Sequence, residues 1–155
     1  MILVLAEKPS AMRNFAKALG GEEGNYNGED YKICALRGHT RGLRMPEDQV
    51  PKDKYEDYKS WKLDKLPWDL TLFAWKKGTL GGCTEVLQNL HKALGGVDEV
   101  AIATDDDPSG EGEVLAWEAL EFCRWKGKTS RMYFPDEAPK SVQKAFCNRV
   151  PIPSM

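Results

Sequence analysis

A short apolar run that stops at an acidic, glycine-containing loop constrains the fold of this chain more than any other feature. Residues 100–115 read VAIATDDDPSGEGEVL, and a helical pattern begins at their end. The run predicts a buried strand, and a strand, a loop and a helix in succession indicate a parallel sheet. Five carboxylates then fall within nine residues at the carboxyl end of that strand, where open α/β sheets bind ligands.

The crowded carboxylates predict a divalent cation. Like charges held close together raise one another's proton affinity, so packing gains nothing from them. An ion that prefers oxygen ligands, such as Mg²⁺, removes that penalty. Asp105 and Asp107 are two residues apart and are the first candidate ligands. The alternative is an acidic loop that only caps the following helix, because Asp, Ser and Glu are favourable at a helix N-terminus.

The rest of the chain predicts an α/β fold. Strand and helix patterns alternate, which indicates a mostly parallel sheet with helices on both faces. The length of 155 residues suits one domain with its own core. The predicted strands are Ile2–Ala6, 31–36, 69–74, Glu99–Ala103 and 130–134, and the predicted helices are 9–19, 84–94, 112–125 and 138–146, with a turn at 25–28 and irregular chain over 37–69.

Composition excludes several classes of protein. The net charge of −2 argues against a general polyanion binder, although local basic patches leave nucleic acid open as a partner. No apolar run reaches the length of a membrane span, and the opening MILVLAEKPS lacks the basic region and cleavage site of a leader. We therefore expect a cytoplasmic protein with no membrane partner. Four widely spaced cysteines predict free thiols rather than a zinc site.

A second acid follows the first predicted strand. Glu7 comes directly after Ala6, and the ends of parallel strands meet at one sheet edge, so Glu7 and Asp105 are expected to lie close together. One acid beside a metal-bound pair suits acid/base chemistry on a phosphodiester. Lys8, with the amides that open the next helix, suits a phosphate. The alternative for Glu7 is a simple interaction with the helix dipole.

Two further clusters each have two interpretations. The densest basic cluster contains Arg37, His39 and Arg41, and it either contacts phosphates or is an ordinary solvated loop. Tyrosines and tryptophans interleave with lysines over residues 52–68. Those aromatic rings either stack bases or pin the long irregular segment to the core.

These motifs together resemble the Toprim domain of type IA topoisomerases, most closely the topoisomerase III branch. LVLAEKPSAMRNFAKALG resembles the opening strand and helix of that branch, and RGHTRGL resembles its Gly-His-Leu segment. IATDDDPSGEGEVLAWEAL resembles its Ala-Thr-Asp-x-Asp-Arg-Glu-Gly-Glu segment, and FPDEAPKSVQKAF its closing helix. The resemblance implies a Toprim (Rossmann-like) fold over residues 1–150, with residues 151–155 beginning a linker to a downstream region.

The resemblance also implies an activity and a set of roles. Type IA topoisomerases cleave and rejoin a DNA strand by transesterification, so single-stranded DNA and downstream domains of a parent protein are the expected partners. Glu7 is expected to act as general acid/base and Lys8 to contact a phosphate. Asp105, Asp107 and Glu111 are expected to hold Mg²⁺, for which Mn²⁺ can substitute.

Two departures from the family pattern keep alternatives open. Residues 108–110 intervene where the family has a single Arg, so either Glu111 or Glu113 takes the place of the third metal ligand. No tyrosine here has the context of the family's cleavage tyrosine, so the chain alone is not expected to relax DNA. The alternatives are a Toprim nuclease or primase-like enzyme, and a non-catalytic nucleic-acid-binding module.

Overall fold

Alternating strands and helices build the fold of the chain in a computed structural model that describes residues 1–153. Within that range every helix is too short or too polar to cross a bilayer. The strands are Ile2–Ala6 (β1), Glu23–Tyr26 (β2), Glu29–Ala35 (β3), Arg41–Leu43 (β4), Lys77–Thr79 (β5), Glu99–Ala103 (β6), Lys128–Arg131 (β7) and Val150–Ile152 (β8), and the helices are Pro9–Leu19 (α1), Pro46–Gln49 (α2), Tyr55–Lys59 (α3), Thr84–Ala93 (α4), Glu111–Phe122 (α5) and Pro139–Cys147 (α6).

Six strands form one sheet in the order β2-β3-β1-β6-β7-β8. The central strands β3, β1, β6 and β7 are parallel to one another, and the edge strands β2 and β8 are antiparallel to their neighbours. Ala6 at the end of β1 lies opposite Ala35 of β3 and Ala103 of β6. The predicted mostly parallel α/β fold is confirmed, and the ends of β1, β3 and β6 share one edge of the sheet.

Helices bury both faces of this sheet, which explains why its central strands are apolar throughout. All five residues of β1 are buried, and its side chains alternate between the two faces. Phe15 of α1 and Phe146 of α6 are fully buried on one face. Leu87 of α4 and Leu120 of α5 are buried on the other. Burying a side chain of this size contributes about 2–3 kcal/mol, so these contacts dominate the stability of the sheet.

The chain divides into two compact units. The sheet unit comprises residues 1–40 and 81–155, and the small unit comprises residues 41–80. In the sheet unit, the thiol of Cys83 donates to the carbonyl of His39 at 3.8 Å, so the two chain ends that flank the small unit are neighbours. The small unit contains the antiparallel pair β4 and β5, the helices α2 and α3, and several short turns of 3₁₀-helix.

The structure corrects several predicted elements. The predicted strand over 69–74 is wrong, because the Asp69 carboxylate accepts from the amide and hydroxyl of Thr71 and starts a 3₁₀-turn at Leu70–Leu72. The segment 37–69 is not irregular throughout, since it contains β4, α2 and α3. The turn over 25–28 is narrower than predicted, because β2 and β3 form a hairpin around Asn27 and Gly28, both at positive φ.

A strand near the end of the described chain was not predicted from the sequence. The expected extended tail contains β8, which pairs antiparallel with β7 and contains Pro151. Proline lacks a backbone N–H and is therefore tolerated in a strand only at a sheet edge or bulge, and β8 is such an edge strand.

Candidate functional site

Glu7 and Asp105 lie side by side where β1 and β6 end. The backbone amide of Asp105 donates to Glu7 Oε2 at 3.2 Å. The carbonyl of Glu7 accepts from the amide of Gly38 at 3.0 Å, which ties the loop after β3 to the same edge. The Glu7 carboxylate therefore points across the strand ends toward the acidic loop, as the parallel topology expects.

Asp107 closes the acidic loop onto the start of α5. Its carboxylate accepts from the amide of Ser109 at 2.9 Å, the amide of Gly112 at 3.0 Å and the amide of Glu111 at 3.3 Å, and also from the Ser109 hydroxyl. The Ser109 hydroxyl bond, followed by the amide bonds, lowers the pKa of Asp107 to about 2. In this structure Asp107 performs the helix capping that was the alternative to metal binding.

The two glutamates of the loop face different partners. Glu111 Oε1 lies 2.9 Å from His39 Nε2, and His39 Nδ1 lies 3.5 Å from Glu118 Oε2. The hydrogen bond with Glu111 is the largest cause of a raised pKa at His39. Glu113 instead accepts a hydrogen bond from the indole N–H of Trp117 at 3.3 Å. Glu111 thus faces the loop after β3, and Glu113 packs along its own helix.

A close approach of backbones explains the glycine inside the acidic motif. A Cβ built on Gly112 would lie 2.4 Å from the carbonyl oxygen of Asp105. No side chain fits in that space, so only glycine lets α5 begin directly against the end of β6. Gly112 therefore sets how close Asp105 and Glu111 come to each other.

Arg131 was not predicted as a site residue, and it supports the backbone of the acidic loop. Arg131 is 2% exposed and donates to the carbonyls of Ile102 at 3.2 Å, Thr104 at 2.7 Å and Asp105 at 3.0 Å. Its Nε has no hydrogen-bond partner within residues 1–153. A buried cation at this point fixes the loop backbone and offsets the negative charge above it. The available signal was an arginine within the predicted strand 130–134.

The remaining predicted site residues lie at separate places. Lys8 is exposed at the N-cap of α1, and Arg37 is exposed in the loop after β3. Arg41 is the first residue of β4 in the small unit, whereas His39 belongs to the sheet unit. The structure therefore places Arg37 and His39 in the same unit as the acids and gives Arg41 to the other unit.

The donor chemistry of the acidic edge fits a hard cation. Its candidate ligands are all carboxylate oxygens, which Mg²⁺ prefers. In the arrangement described for residues 1–153, however, no three His, Cys, Asp or Glu side chains are gathered closely enough to hold a metal ion. These carboxylates do not converge because Asp107 caps the start of α5 and Glu111 contacts His39.

Comparison with known sequences identifies the family. A sequence model of the Toprim domain matches residues 2–136. The chain belongs to the Toprim family. A protein named DNA topoisomerase 1 from Alkalihalophilus pseudofirmus is 31% identical over 155 residues, covering 94% of this chain and 21% of that protein. A protein named DNA topoisomerase 3 from Shouchella clausii is 31% identical over 151 residues, covering 92% of this chain and 19% of that protein.

A solved structure supports the Toprim fold. The full-length topoisomerase I of Thermotoga maritima superposes with a TM-score of 0.63 at 21% sequence identity, over 97% of this chain and 21% of that chain. The resemblance of this chain to type IA Toprim domains is thereby confirmed, and it spans about a fifth of the length of these relatives.

Proposed function

We propose that this Toprim domain serves a type IA topoisomerase that cleaves and rejoins one DNA strand by transesterification, with the tyrosine-bearing domain elsewhere in the parent protein. The observation that carries the proposal is the hydrogen bond that joins Glu7 to the backbone of Asp105 across adjacent strand ends. The family match and the relatives named DNA topoisomerase support it. The AEKPS segment at residues 6–10 favours the topoisomerase III branch, and a cytoplasmic location fits such an enzyme.

Each predicted residue has a role in this proposal. Glu7 acts as general acid/base beside the scissile phosphate, and Lys8 contacts a phosphate at the N-terminus of α1. Asp105, Asp107 and Glu111 hold Mg²⁺, which supplies charge neutralisation for the phosphodiester when bound. Arg37 and His39 of the sheet unit, and separately Arg41 of the small unit, contact phosphates of the single-stranded DNA substrate.

Glu111, rather than Glu113, is the third ligand in this proposal. The Glu111 carboxylate faces the loop after β3, where it lies 2.9 Å from His39 Nε2. Glu113 accepts a hydrogen bond from Trp117 of its own helix. Binding a cation would require Glu111 to exchange its contact with His39 for the ion.

Titration of the isolated chain with Mn²⁺ tests the metal site. We expect weak binding that Asp105→Asn with Asp107→Asn abolishes, because two of the three carboxylate ligands are lost. Asp106→Asn is the matched control, since it removes a neighbouring exposed carboxylate that has no assigned role. Equal Mn²⁺ affinity in the double variant and the control would contradict the site.

A Toprim nuclease is the second candidate, and the inserted residues 108–110 favour it. Gly110 takes a φ of 75° immediately before α5, so the loop differs from the family pattern at the start of the helix. The topoisomerase proposal expects the isolated chain neither to relax nor to nick supercoiled plasmid in Mg²⁺. Plasmid nicking that Glu7→Gln abolishes would instead support the nuclease.

A further inference from the structure

Trp75 in the small unit is held in a backbone conformation that bulky residues seldom adopt. Its φ is 53°, and its side chain is 55% exposed. A large side chain in the left-handed region is strained, and such strain persists only where the surrounding structure imposes it. An exposed ring gains little from burial, so packing alone does not explain the conformation of Trp75.

Gln49 holds the chain on both sides of Trp75, through its backbone carbonyl on one side and its buried side chain on the other. The amide of Ala74 donates to the Gln49 carbonyl at 2.8 Å. The amide of Lys76 donates to Gln49 Oε1 at 2.7 Å, and Gln49 Nε2 donates back to the Lys76 carbonyl at 3.0 Å. With its two neighbours fixed in this way, Trp75 has no route to relax its backbone, and its ring stays at the surface.

Trp75 is one end of a continuous row of aromatic rings. Neighbouring rings have centroids 4.6–5.9 Å apart, and Tyr58 at the centre is buried. Trp61 at the other end is 67% exposed. The centre of the row packs the small unit, and its two ends face solvent. This aromatic row consists, in spatial order, of Trp61, Trp68, Tyr58, Phe73 and Trp75.

Positive charge accompanies both exposed ends. Lys62 follows Trp61 and Lys76 follows Trp75, and both lysines are exposed. The small unit contains nine of the 22 Lys and Arg residues but seven of the 24 Asp and Glu residues, so its net charge is +2 and that of the remaining chain is −4. Among residues 1–153, fourteen large apolar side chains are exposed and nine of them lie in this unit, which indicates a binding surface.

We propose that the two ends of the aromatic row, together with Lys62 and Lys76, bind single-stranded DNA by stacking bases on Trp61 and Trp75. Every base has a π-face and every nucleotide a phosphate, so rings beside lysines bind single strands without sequence preference. Protein interfaces are depleted in lysine, which makes a protein partner the poorer fit. The inference deepens the proposed function and rests on it for DNA as the ligand.

The test is the affinity of the full chain for fluorescein-labelled (dT)12, measured by anisotropy in EDTA. We expect Trp61→Ala with Trp75→Ala to weaken binding about tenfold or more, because each lost stacking platform is costly. Trp61→Phe with Trp75→Phe is expected to retain most of the affinity. The matched control is Leu63→Ala with Leu70→Ala, which removes two exposed apolar side chains of the same unit. A urea melt of each variant confirms that the chain remains folded.

Two results would overturn the inference. In the first, the folded wild-type chain binds no (dT)12, or the double alanine variant binds it as well as the wild type does. In the second, the leucine variant loses as much affinity as the tryptophan variant, which would point to a general apolar surface for a protein partner. Because the assay contains EDTA, it reports stacking on this surface separately from the Mn²⁺ titration, so failure of the metal site and failure of this surface give different results.

Discussion

The two units of the chain are stabilised in opposite ways. The sheet unit buries apolar side chains on both faces of a mostly parallel sheet. Most residues of its core belong to strands and helices. In the small unit, Tyr58 and Gln49 are the buried side chains, and most other large apolar groups are exposed. The comparison shows that the 40 residues of the small unit keep few side chains buried and rely on Gln49, a row of rings and short backbone-bonded elements, while most of their large apolar side chains face solvent.

The largest change in stability is expected from a substitution in the core of the sheet unit. Phe15 is fully buried and packs edge-on against Phe134 with ring centroids 5.4 Å apart. Phe15→Ala should lower the free energy of unfolding by about 3–5 kcal/mol, since it removes a large buried ring and leaves a cavity. Urea denaturation measures the change. Leu63→Ala, at a side chain that is 90% exposed in the small unit, should change it by less than about 0.5 kcal/mol.

The second largest change in stability is expected at the close contact between β6 and α5. Gly112→Ala places a Cβ against the Asp105 carbonyl, and should destabilise the sheet unit by about 1–3 kcal/mol while weakening Mn²⁺ binding. Thermal denaturation and Mn²⁺ titration report the two changes. Gly81→Ala is the control, because an added Cβ there meets nothing within 4 Å. Equal stability of the two variants would mean that the backbones have room to move apart.

The small unit should respond locally to the loss of its glutamine. Gln49→Leu leaves the amide and carbonyl of Lys76 without their side-chain partner, at a cost of about 1–3 kcal/mol. Hydrogen exchange at the amides of Ala74 and Lys76 should accelerate, while the amides of β1 keep their protection. Gln88→Leu, on an exposed face of α4, is the control. Loss of protection in β1 as well would show that the two units unfold together.

The smallest effect concerns pH and the cap of α5. The pKa of Asp107 is about 2 in the folded chain, below the ordinary aspartate value of 3.8. Its contribution to stability is therefore fully present above pH 3.8 and is lost as the pH falls toward 2. Asp107→Asn should make the melting temperature less dependent on pH in that range, because asparagine does not titrate and its one carbonyl oxygen can still accept part of these hydrogen bonds. An unchanged slope between pH 4 and 2 would show that other carboxylates cause the acid sensitivity.

The fold of the sheet unit could be predicted from the sequence more fully than that of the small unit. The strands β1 and β6 and the helix α1 were predictable because burial on both faces produces apolar runs, and because proline and glycine mark helix ends. Residues 69–74 were mispredicted as a strand because the Asp69 carboxylate accepts a hydrogen bond from the Thr71 amide, and this local bond favours a turn over the extended chain that the apolar pattern predicts. The small unit has no periodicity to detect, since its order depends on Gln49 and on contacts between rings distant in sequence.

In the candidate site, the sequence predicts which residues lie at neighbouring strand ends, but it does not predict which partners their side chains contact. The neighbouring positions of Glu7 and Asp105 follow from parallel topology alone. The contacts of Glu111 with His39 and of Asp107 with Ser109 depend on rotamers and loop geometry, which residue spacing does not encode. Arg131 escaped prediction because a charged residue in a buried strand is rare and its partners are backbone carbonyls.

The hydrogen bond between Cys83 and the carbonyl of His39 has a consequence for how the small unit is joined to the rest of the chain. The 40 residues of the small unit leave and re-enter the sheet unit at neighbouring points, so they form a cassette inserted at a single position. A linker of three residues in their place would shorten the loop to be closed and save roughly 2 kcal/mol of chain entropy. We therefore expect the sheet and its acidic edge, which lie in the sheet unit, to persist in a chain whose small unit is replaced by such a linker.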